Sequence, residues 1–178
     1  MTWQPEDFDD LAAELRRRVE AEFRSEADEE ERLVDLQRRR KATLRDIATI
    51  AMHQGQRVVL RALEAEWKGE VVAVGADYLS LQTALLLLDA RLDSVAIAIT
   101  PARQGGHTAK AASETFRARL TEFELTGERV TLRSRAPAVE VTGIIEVVAP
   151  DHVVVNCPGE LCYLPLDGVF MVIRPLPD

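Results

Sequence analysis

Two cysteines stand close together near the end of the chain, so thiol chemistry is the first chemistry to consider. Cys157 and Cys162 flank the Pro158-Gly159 turn signal in NCPGELC, between two strand-like runs. They could face each other and form a disulfide, but stable disulfides belong mainly to oxidising compartments. The acidic N-terminus has no signal-peptide pattern, so we expect a cytoplasmic location and two reduced thiols, with a disulfide as the alternative. A metal site needs about four ligands and only His152 is near, so we expect no metal.

The other reactive side chains form no catalytic pattern. His53, His107 and His152 fall on a predicted helix end, a linker and a turn, and none has a nucleophile at suitable spacing. The glycines of QGGHTAK lack the spacing and the flanking elements of a phosphate-binding loop. We therefore predict that the protein is not an enzyme and uses no cofactor.

Arginines recur at matching places in two strand-like runs. Arg57 and Arg61 are four residues apart, hence on one face of a strand, and Arg129 and Arg133 repeat the pattern. With Arg135 and the RRRK run at 38–41 they could form a basic stripe for nucleic-acid phosphates. Against this, the net charge is −8 and only 5% of the residues are aromatic. The RRRK run is also explained by a solvated helix surface with intrahelical ion pairs.

An amphipathic helical segment is predicted over residues 6–40. Apolar side chains recur at three- and four-residue spacing, and SEADEEER interrupts them, so the segment is either one helix or two. Trp3, just before the segment, is a plausible aromatic anchor. The stripe either docks on a protein partner or covers the chain's own strands. The protein-binding candidates are Trp3, Phe8, Leu11, Leu15, Val19 and Phe23.

Two further helices each precede five strand-like runs. Thr43 and Asp46 match a capping box and Gly55 a left-handed stop, which predicts a helix between them. Another helix is expected from Ser113 to near Gly127. After each glycine the apolar period changes to two, as in strands. The runs are RVVLRAL, EVVAVGA, YLSLQT, LLLLDARL and SVAIAI, and then RVTLRS, EVTGIIEVVA, HVVVN, CYLPL and GVFMVI.

These two stretches are copies of each other. GQRV at 55–58 recurs as GERV 72 residues later, and LDSV at 92–95 recurs as LDGV 74 residues later, with the extra residues in the turn around SRAPAVE. We predict an N-terminal segment at 1–42, a first unit at 43–100, a linker at 101–112 and a second unit at 113–178. Because small units bury little surface and have adhesive strand edges, we expect the copies to pack together.

The repeating unit resembles the Sm-like fold. A helix precedes five strands, with a glycine in the second (WKGEVVAVGADYL, VTGIIEVVAPDHV) and an aspartate opening the third. GEVVAVGADYLSL with LDSVAIAI is similar in particular to actinobacterial two-barrel proteins often labelled Fis-family transcriptional regulators, although no helix-turn-helix is predicted here. The resemblance implies a mainly β fold with α: two tandem five-stranded Sm-like barrels, each preceded by a helix, plus the N-terminal amphipathic helical segment.

Sm-like proteins bind RNA through two loops, and this chain departs from both patterns. Asp77 and Asp151 match the aspartate of the first loop, but Ser80 and Val154 stand where that loop has asparagine. In the second loop, DS and DG replace an Arg-Gly or Lys-His pair, so a carboxylate stands where a cation would neutralise phosphate. We expect Asp77 and Asp151 to be turn residues that bond local backbone amides.

Two functions from different classes follow. The first is a non-catalytic interaction or scaffold protein, which binds a protein partner or itself through the N-terminal helix and the barrel edges. The alternative is an RNA- or DNA-binding regulator that uses the arginine stripe. No membrane partner is expected, because the longest apolar run is far too short to span a bilayer.

Overall fold

A computed structural model describes residues 18, 22–23, 28–100 and 114–176, so the predicted linker at 101–112 lies outside the described residues. The chain divides into two units, Met1–Ala42 and Thr43–Asp178. In the first unit, helix α1 covers residues 28–41 and is almost wholly exposed. Arg39 pairs with Asp35 one turn earlier, at 2.7 Å. No helix in the described part of the chain is long and apolar enough to cross a membrane.

The second unit repeats one arrangement of a helix followed by five strands, and the described residues contain every strand that the sequence predicts. The first half comprises α2 (Leu44–His53), β1 (Arg57–Ala62), β2 (Ala65–Val74), β3 (Tyr78–Gln82), β4 (Leu86–Arg91) and β5 (Ala96–Thr100). The second half comprises α3 (Phe116–Thr126), β6 (Arg129–Arg135), β7 (Ala138–Val148), β8 (His152–Cys157), β9 (Glu160–Pro165) and β10 (Val169–Pro175).

Local sequence signals set the helix ends. The Thr43 hydroxyl accepts from the Asp46 amide at 3.2 Å, and the Asp46 carboxylate accepts from the Thr43 amide at 2.9 Å, which confirms the predicted capping box. The bond from the Thr43 amide lowers the pKa of Asp46. After the two helices, Gly55 and Gly127 adopt the left-handed conformation, with φ of 60° and 64°.

The ten strands form one continuous antiparallel sheet. Its order is β5-β1-β2-β3-β4-β10-β6-β7-β8-β9, so each half has the same internal order and the halves meet where β4 pairs with β10. This confirms a mainly β fold with helices and the expected packing of the two copies. The sheet is open, however, and its hydrogen bonding does not divide it into two closed barrels, because β4 and β10 pair across the halves.

The second strand of each half bends at equivalent places. The register shifts between Val71 and Ala73 in β2, and between Ile145 and Val147 in β7. Nearby glycines allow a close approach of the neighbouring strand: a Cβ atom at Gly69 would overlap the Gln82 carbonyl, and one at Gly143 would overlap the Asn156 carbonyl. The glycine of the repeat is therefore required by backbone contact.

Each half has its own apolar core, and each core takes side chains from the other half. The first core lies under α2, around Leu60, Leu81 and Leu88, and includes Phe170 and Met171 of β10. The second lies under α3, around Leu132 and Val155, and includes Tyr78 of β3. Since both cores are shared in this way, the halves stabilise each other.

Candidate interaction surface

The halves are joined by two strands that are distant in the sequence. Leu88 lies opposite Ile173 and Ala90 lies opposite Met171. Ala90 and Met171 are fully buried at this junction. The amide of Leu176 donates to the carbonyl of Leu85 at 3.1 Å, which extends the contact beyond the end of β10. At the β4–β10 junction, the last strand in the order of one half thus pairs antiparallel with the first strand in the order of the other half.

A buried polar cluster lies on this junction. The Asp89 side chain on β4 has no solvent exposure and accepts hydrogen bonds from the Ser80 hydroxyl and from Nε of Arg119, the latter at 3.1 Å. Arg119 also pairs with Glu122 and lies 4.6 Å from the ring centre of Phe123. Burial works to lower the pKa of Arg119, but Asp89 and Glu122 raise it above its ordinary value. Helix α3 is thereby tied to a strand of the first half.

Asp77 holds the first residue of α3. Its Oδ1 accepts from the Phe116 amide at 2.6 Å, 39 residues further along the chain. The prediction that the Asp77 carboxylate bonds local amides is therefore wrong, because the unpaired N–H groups of a helix start are stronger partners. The Asp151 carboxylate contacts Nδ1 of His152 at 2.7 Å, and this hydrogen bond lowers the pKa of Asp151, with a smaller contribution in the same direction from the backbone amide of Asp151 itself.

Strands β5 and β9 form the two outer edges of the sheet. Within the described residues each is paired on one side, β5 with β1 and β9 with β8. Both edges carry exposed apolar side chains: Ile99 is 36% exposed, Leu161 49% and Tyr163 63%. Such an edge is a template for pairing with a further strand. Sequence reasoning anticipated adhesive edges but did not identify these strands or these three side chains.

Two of the five candidate arginines face carboxylates on the neighbouring strand. Nε of Arg61 lies 2.9 Å from Glu66, and Nε of Arg133 lies 2.6 Å from Glu140. In both cases the register places the two residues directly opposite each other across a hairpin. Arg133 also lies over the Trp67 ring, at 5.2 Å from its centre.

The other three candidate arginines, Arg57, Arg129 and Arg135, are exposed. Each lies at an end of β1 or β6. Their use as a nucleic-acid stripe stays a prediction.

Most of the N-terminal candidates lie outside the described residues, namely Trp3, Phe8, Leu11, Leu15 and Val19. Phe23 is described; it is helical and exposed. Helix α1 adds exposed apolar side chains at Leu33, Val34 and Leu36. Docking of this segment on a partner stays a prediction.

The two cysteines face each other as the sequence suggested. Both are free thiols, with their sulfurs 3.3 Å apart on the β8–β9 hairpin. The neighbouring Cys157 thiol raises the pKa of Cys162 to about 11, and burial and the Glu160 carboxylate act in the same direction. Cys162 also lies on β9, an outer strand of the described sheet.

Metal-ligating side chains do not come together in the part of the chain that the structure describes. There, no group of three or more His, Cys, Asp and Glu side chains could hold a metal. An open groove of about 590 Å³ between the start of α2 and the loops around it contains Asp46, Asp77 and Asp93. The first two cap helices, and Asp93 pairs with Arg91 at 2.6 Å. All three carboxylates thus have structural partners.

No protein-family model matches the chain, and no curated protein matches it.

Proposed function

We propose that the chain is a non-catalytic interaction or scaffold protein, built on two Sm-like units, which binds protein through the outer edges of its described sheet and through its N-terminal helical segment. The observation that carries the proposal is the exposure of Ile99 on the β5 edge and of Leu161 and Tyr163 on the β9 edge. An unpaired edge offers backbone hydrogen bonds, and its apolar side chains add buried area when a partner covers them.

The repeated architecture supports the Sm-like part of the proposal. Each half places its fifth strand beside its first and then continues in chain order. Each half also has a preceding helix, a bulged second strand and a close-contact glycine, Gly69 or Gly143. The helix, the five strands and the glycine are among the features on which the sequence resembles that fold, and the strand order and the bulge are structural regularities that the two halves share.

Charge favours a protein partner over a nucleic acid. A phosphate that approached Arg61 or Arg133 would compete with the carboxylates of Glu66 and Glu140. The net charge of −8 adds a repulsive field around the whole molecule. Binding of RNA or DNA by the arginine stripe is therefore the alternative that the test below distinguishes.

The test is recovery of partners by the tagged full-length chain from its own cells, with and without nuclease. Tyr163→Lys and Ile99→Lys place a charge on each free edge, which blocks strand pairing. Ile144→Lys is the matched control, because Ile144 is also exposed but lies on β7, which is paired on both sides. We expect nuclease-resistant protein partners with the native chain and the control, and their loss with one or both edge variants.

Two results would contradict the proposal. Equal recovery by the native chain and both edge variants would show that the edges do not bind. Recovery of a nuclease-sensitive complex that is lost in Arg57→Ala with Arg129→Ala would favour the nucleic-acid alternative. Deletion of residues 1–40 tests the helical segment in the same assay, and unchanged recovery would remove it from the proposal.

A further inference from the structure

We propose that Cys157 and Cys162 are a reversible dithiol–disulfide pair, oxidised by a peroxide and reduced again by thiols, which fastens the outer strand β9 to β8. Both cysteines are free and half-buried, and their sulfurs are 3.3 Å apart. A disulfide bond is about 2.05 Å long, so the sulfurs need to approach each other by about 1.3 Å. The pair acts within one chain, and it does not depend on the protein binding proposed above.

The two cysteines lie diagonally across the β8–β9 hairpin. The register places Cys157 opposite Glu160, and it places Cys162 opposite Val155, two positions further from the turn. Both thiols therefore lie on one face of the hairpin, where they pack against the second core. Diagonal neighbours are farther apart than directly opposite residues, so a disulfide between them is strained and more easily reduced. This geometry fits a bond that forms and breaks better than a permanent cross-link.

The internal repeat shows how the same end of the other hairpin is held. By the 74-residue offset, Cys157 corresponds to Thr83, at the end of the β3–β4 hairpin. The Thr83 hydroxyl accepts from the Leu86 amide at 3.0 Å and donates to the Leu86 carbonyl at 3.1 Å, which links the two strands. The Cys157 thiol instead lies 3.7 Å from the Val155 carbonyl on its own strand. A bond to Cys162 supplies the link between strands that Thr83 supplies in the first half.

The oxidation balances in two steps. In the first, the Cys157 thiolate attacks one oxygen of hydrogen peroxide, the O–O bond breaks, and the released hydroxide takes up the thiol proton and leaves as water, so that Cys157 becomes a sulfenic acid. In the second, the Cys162 sulfur attacks the Cys157 sulfur, the S–O bond breaks, and the hydroxyl group leaves as water with the Cys162 proton. The two thiols lose two electrons in total, and the peroxide gains them.

The environment of Cys162 sets the order of these steps. The pKa of Cys162 is raised to about 11, chiefly by the Cys157 thiol, so Cys162 keeps its proton when the peroxide arrives. The first attack therefore belongs to Cys157. Once Cys157 is a sulfenic acid, the thiol that most raises the pKa of Cys162 is gone, and Cys162 is more readily deprotonated for the second step.

The disulfide changes how firmly the outer strand is held. Within the described residues β9 is paired on one side only, with β8, so it can separate from the sheet by breaking one ladder of hydrogen bonds. A covalent link between the two strands restricts this opening. In a reducing compartment the link forms only under oxidation, as is usual for the disulfides found there.

The experiment treats the reduced full-length chain with hydrogen peroxide at pH 8 and follows the thiols by alkylation and peptide mass spectrometry. We expect both thiols to be lost, a linked peptide lighter by two hydrogens, and a monomer on a non-reducing gel. Reduced glutathione should restore both thiols. Dimedone added with the peroxide should label Cys157 and leave Cys162 unlabelled, because dimedone reacts with the sulfenic acid.

Cys162→Ser combined with Leu161→Cys is the matched control. This variant keeps two cysteines in the same hairpin, but residue 161 is exposed on the opposite face of β9. It should form no disulfide within the chain, and circular dichroism establishes that it is folded.

Hydrogen exchange measures the effect on the outer strand. Amides of β9 should exchange more slowly in the oxidised native chain than in the reduced chain. Cys157→Ser combined with Cys162→Ser should show the same exchange before and after peroxide, which separates the disulfide from other oxidation.

Four results would overturn the proposal. They are thiols that persist or are oxidised to sulfinic acid without a disulfide, equal disulfide formation within the chain in the matched control, a disulfide that reduced glutathione leaves intact, and unchanged exchange of β9 on oxidation. A label on Cys162 instead of Cys157 would overturn the assigned order of the steps. The proposed protein binding is measured separately, by recovery of partners, and stands or falls without these results.

Discussion

Leu63 occupies a left-handed backbone conformation, with φ of 53°, in the turn between β1 and β2. Its side chain is exposed, so its removal sacrifices little buried surface. A non-glycine residue in this conformation destabilises the folded state by about 1–2 kcal/mol. Glycine removes that strain, but it loses more backbone entropy on folding, which offsets part of the gain. We expect Leu63→Gly to raise the free energy of unfolding by about 0.5–1 kcal/mol in urea denaturation.

The next residue provides the control for this prediction. Glu64 occupies the same turn and, in the described part of the chain, Leu63 is the only non-glycine residue with a positive φ. Glu64→Gly should therefore give no gain or a small loss. An equal gain at both positions would show that the backbone conformation of Leu63 is not the cause.

The paired thiols give a pH-dependent prediction. Because the pKa of Cys162 is raised to about 11, its thiolate fraction at pH 8 is far below that of an ordinary cysteine. Cys157→Ser removes the largest cause of the shift and should lower the pKa of Cys162 toward the ordinary value for a cysteine. Alkylation of Cys162 by iodoacetamide at pH 8, followed by peptide mass spectrometry, should become roughly 10- to 100-fold faster.

The rate of Cys162 alkylation as a function of pH separates this cause from simple exposure. The native chain should show its rise well above pH 9, and Cys157→Ser should show it at a lower pH, because burial and Glu160 then act without the Cys157 thiol. Cys157→Ala serves as a second replacement of the same thiol. A rise at the same pH in all three proteins would contradict the role assigned to Cys157.

The attachment of α3 to β4 depends on an ion pair that is shielded from water. Asp89→Ala leaves Arg119 without its buried partner, and breaking such a pair costs about 3–5 kcal/mol of unfolding free energy. Asp89→Leu combined with Arg119→Met removes both charges and should lose much less, since no unpaired charge stays buried. Chemical denaturation of the single and double variants measures the difference.

The exposed pair between β6 and β7 is the matched comparison. Glu140→Ala removes the partner of Arg133 where both side chains are partly open to solvent. The loss there should be about 1 kcal/mol or less. Similar losses for Asp89→Ala and Glu140→Ala would mean that the junction pair is not specially protected.

The shared cores predict how the whole of Thr43–Asp178 unfolds. Phe170 and Met171 fill the first core, while Tyr78 fills the second, so neither half keeps its core if the other opens. We expect a single calorimetric transition for this unit, with equal calorimetric and van't Hoff enthalpies. Asp89→Ala should shift that transition as a whole.

Two outcomes would contradict shared unfolding. One is a pair of resolved transitions for this unit. The other is a segment 114–178 that folds alone with the stability of the full unit, since that segment lacks β4 beside β10. Hydrogen exchange provides an independent measure, because amides of β3 and β8 should then exchange through the same global opening.

Local chemistry in the sequence determined the helices, the strands and the repeat. Thr43, Asp46 and the two stop glycines set helix ends because caps satisfy backbone groups within a few residues. The alternation of apolar residues predicted the strands, because successive side chains of a strand point to opposite faces and this signal is also local. The facing cysteines also followed from nearby residues, since a short turn separates them.

Only the tertiary structure decided which edges meet. The choice of β4 and β10 joins distant residues, and its register depends on both cores being packed at once. The same holds for Asp77, whose carboxylate reaches the start of α3, and for the partnership of Asp89 with Arg119. No local propensity encodes these contacts, because each depends on where a separate element comes to rest. That choice leaves β5 and β9 as the outer strands of the described sheet, where the candidate surface lies.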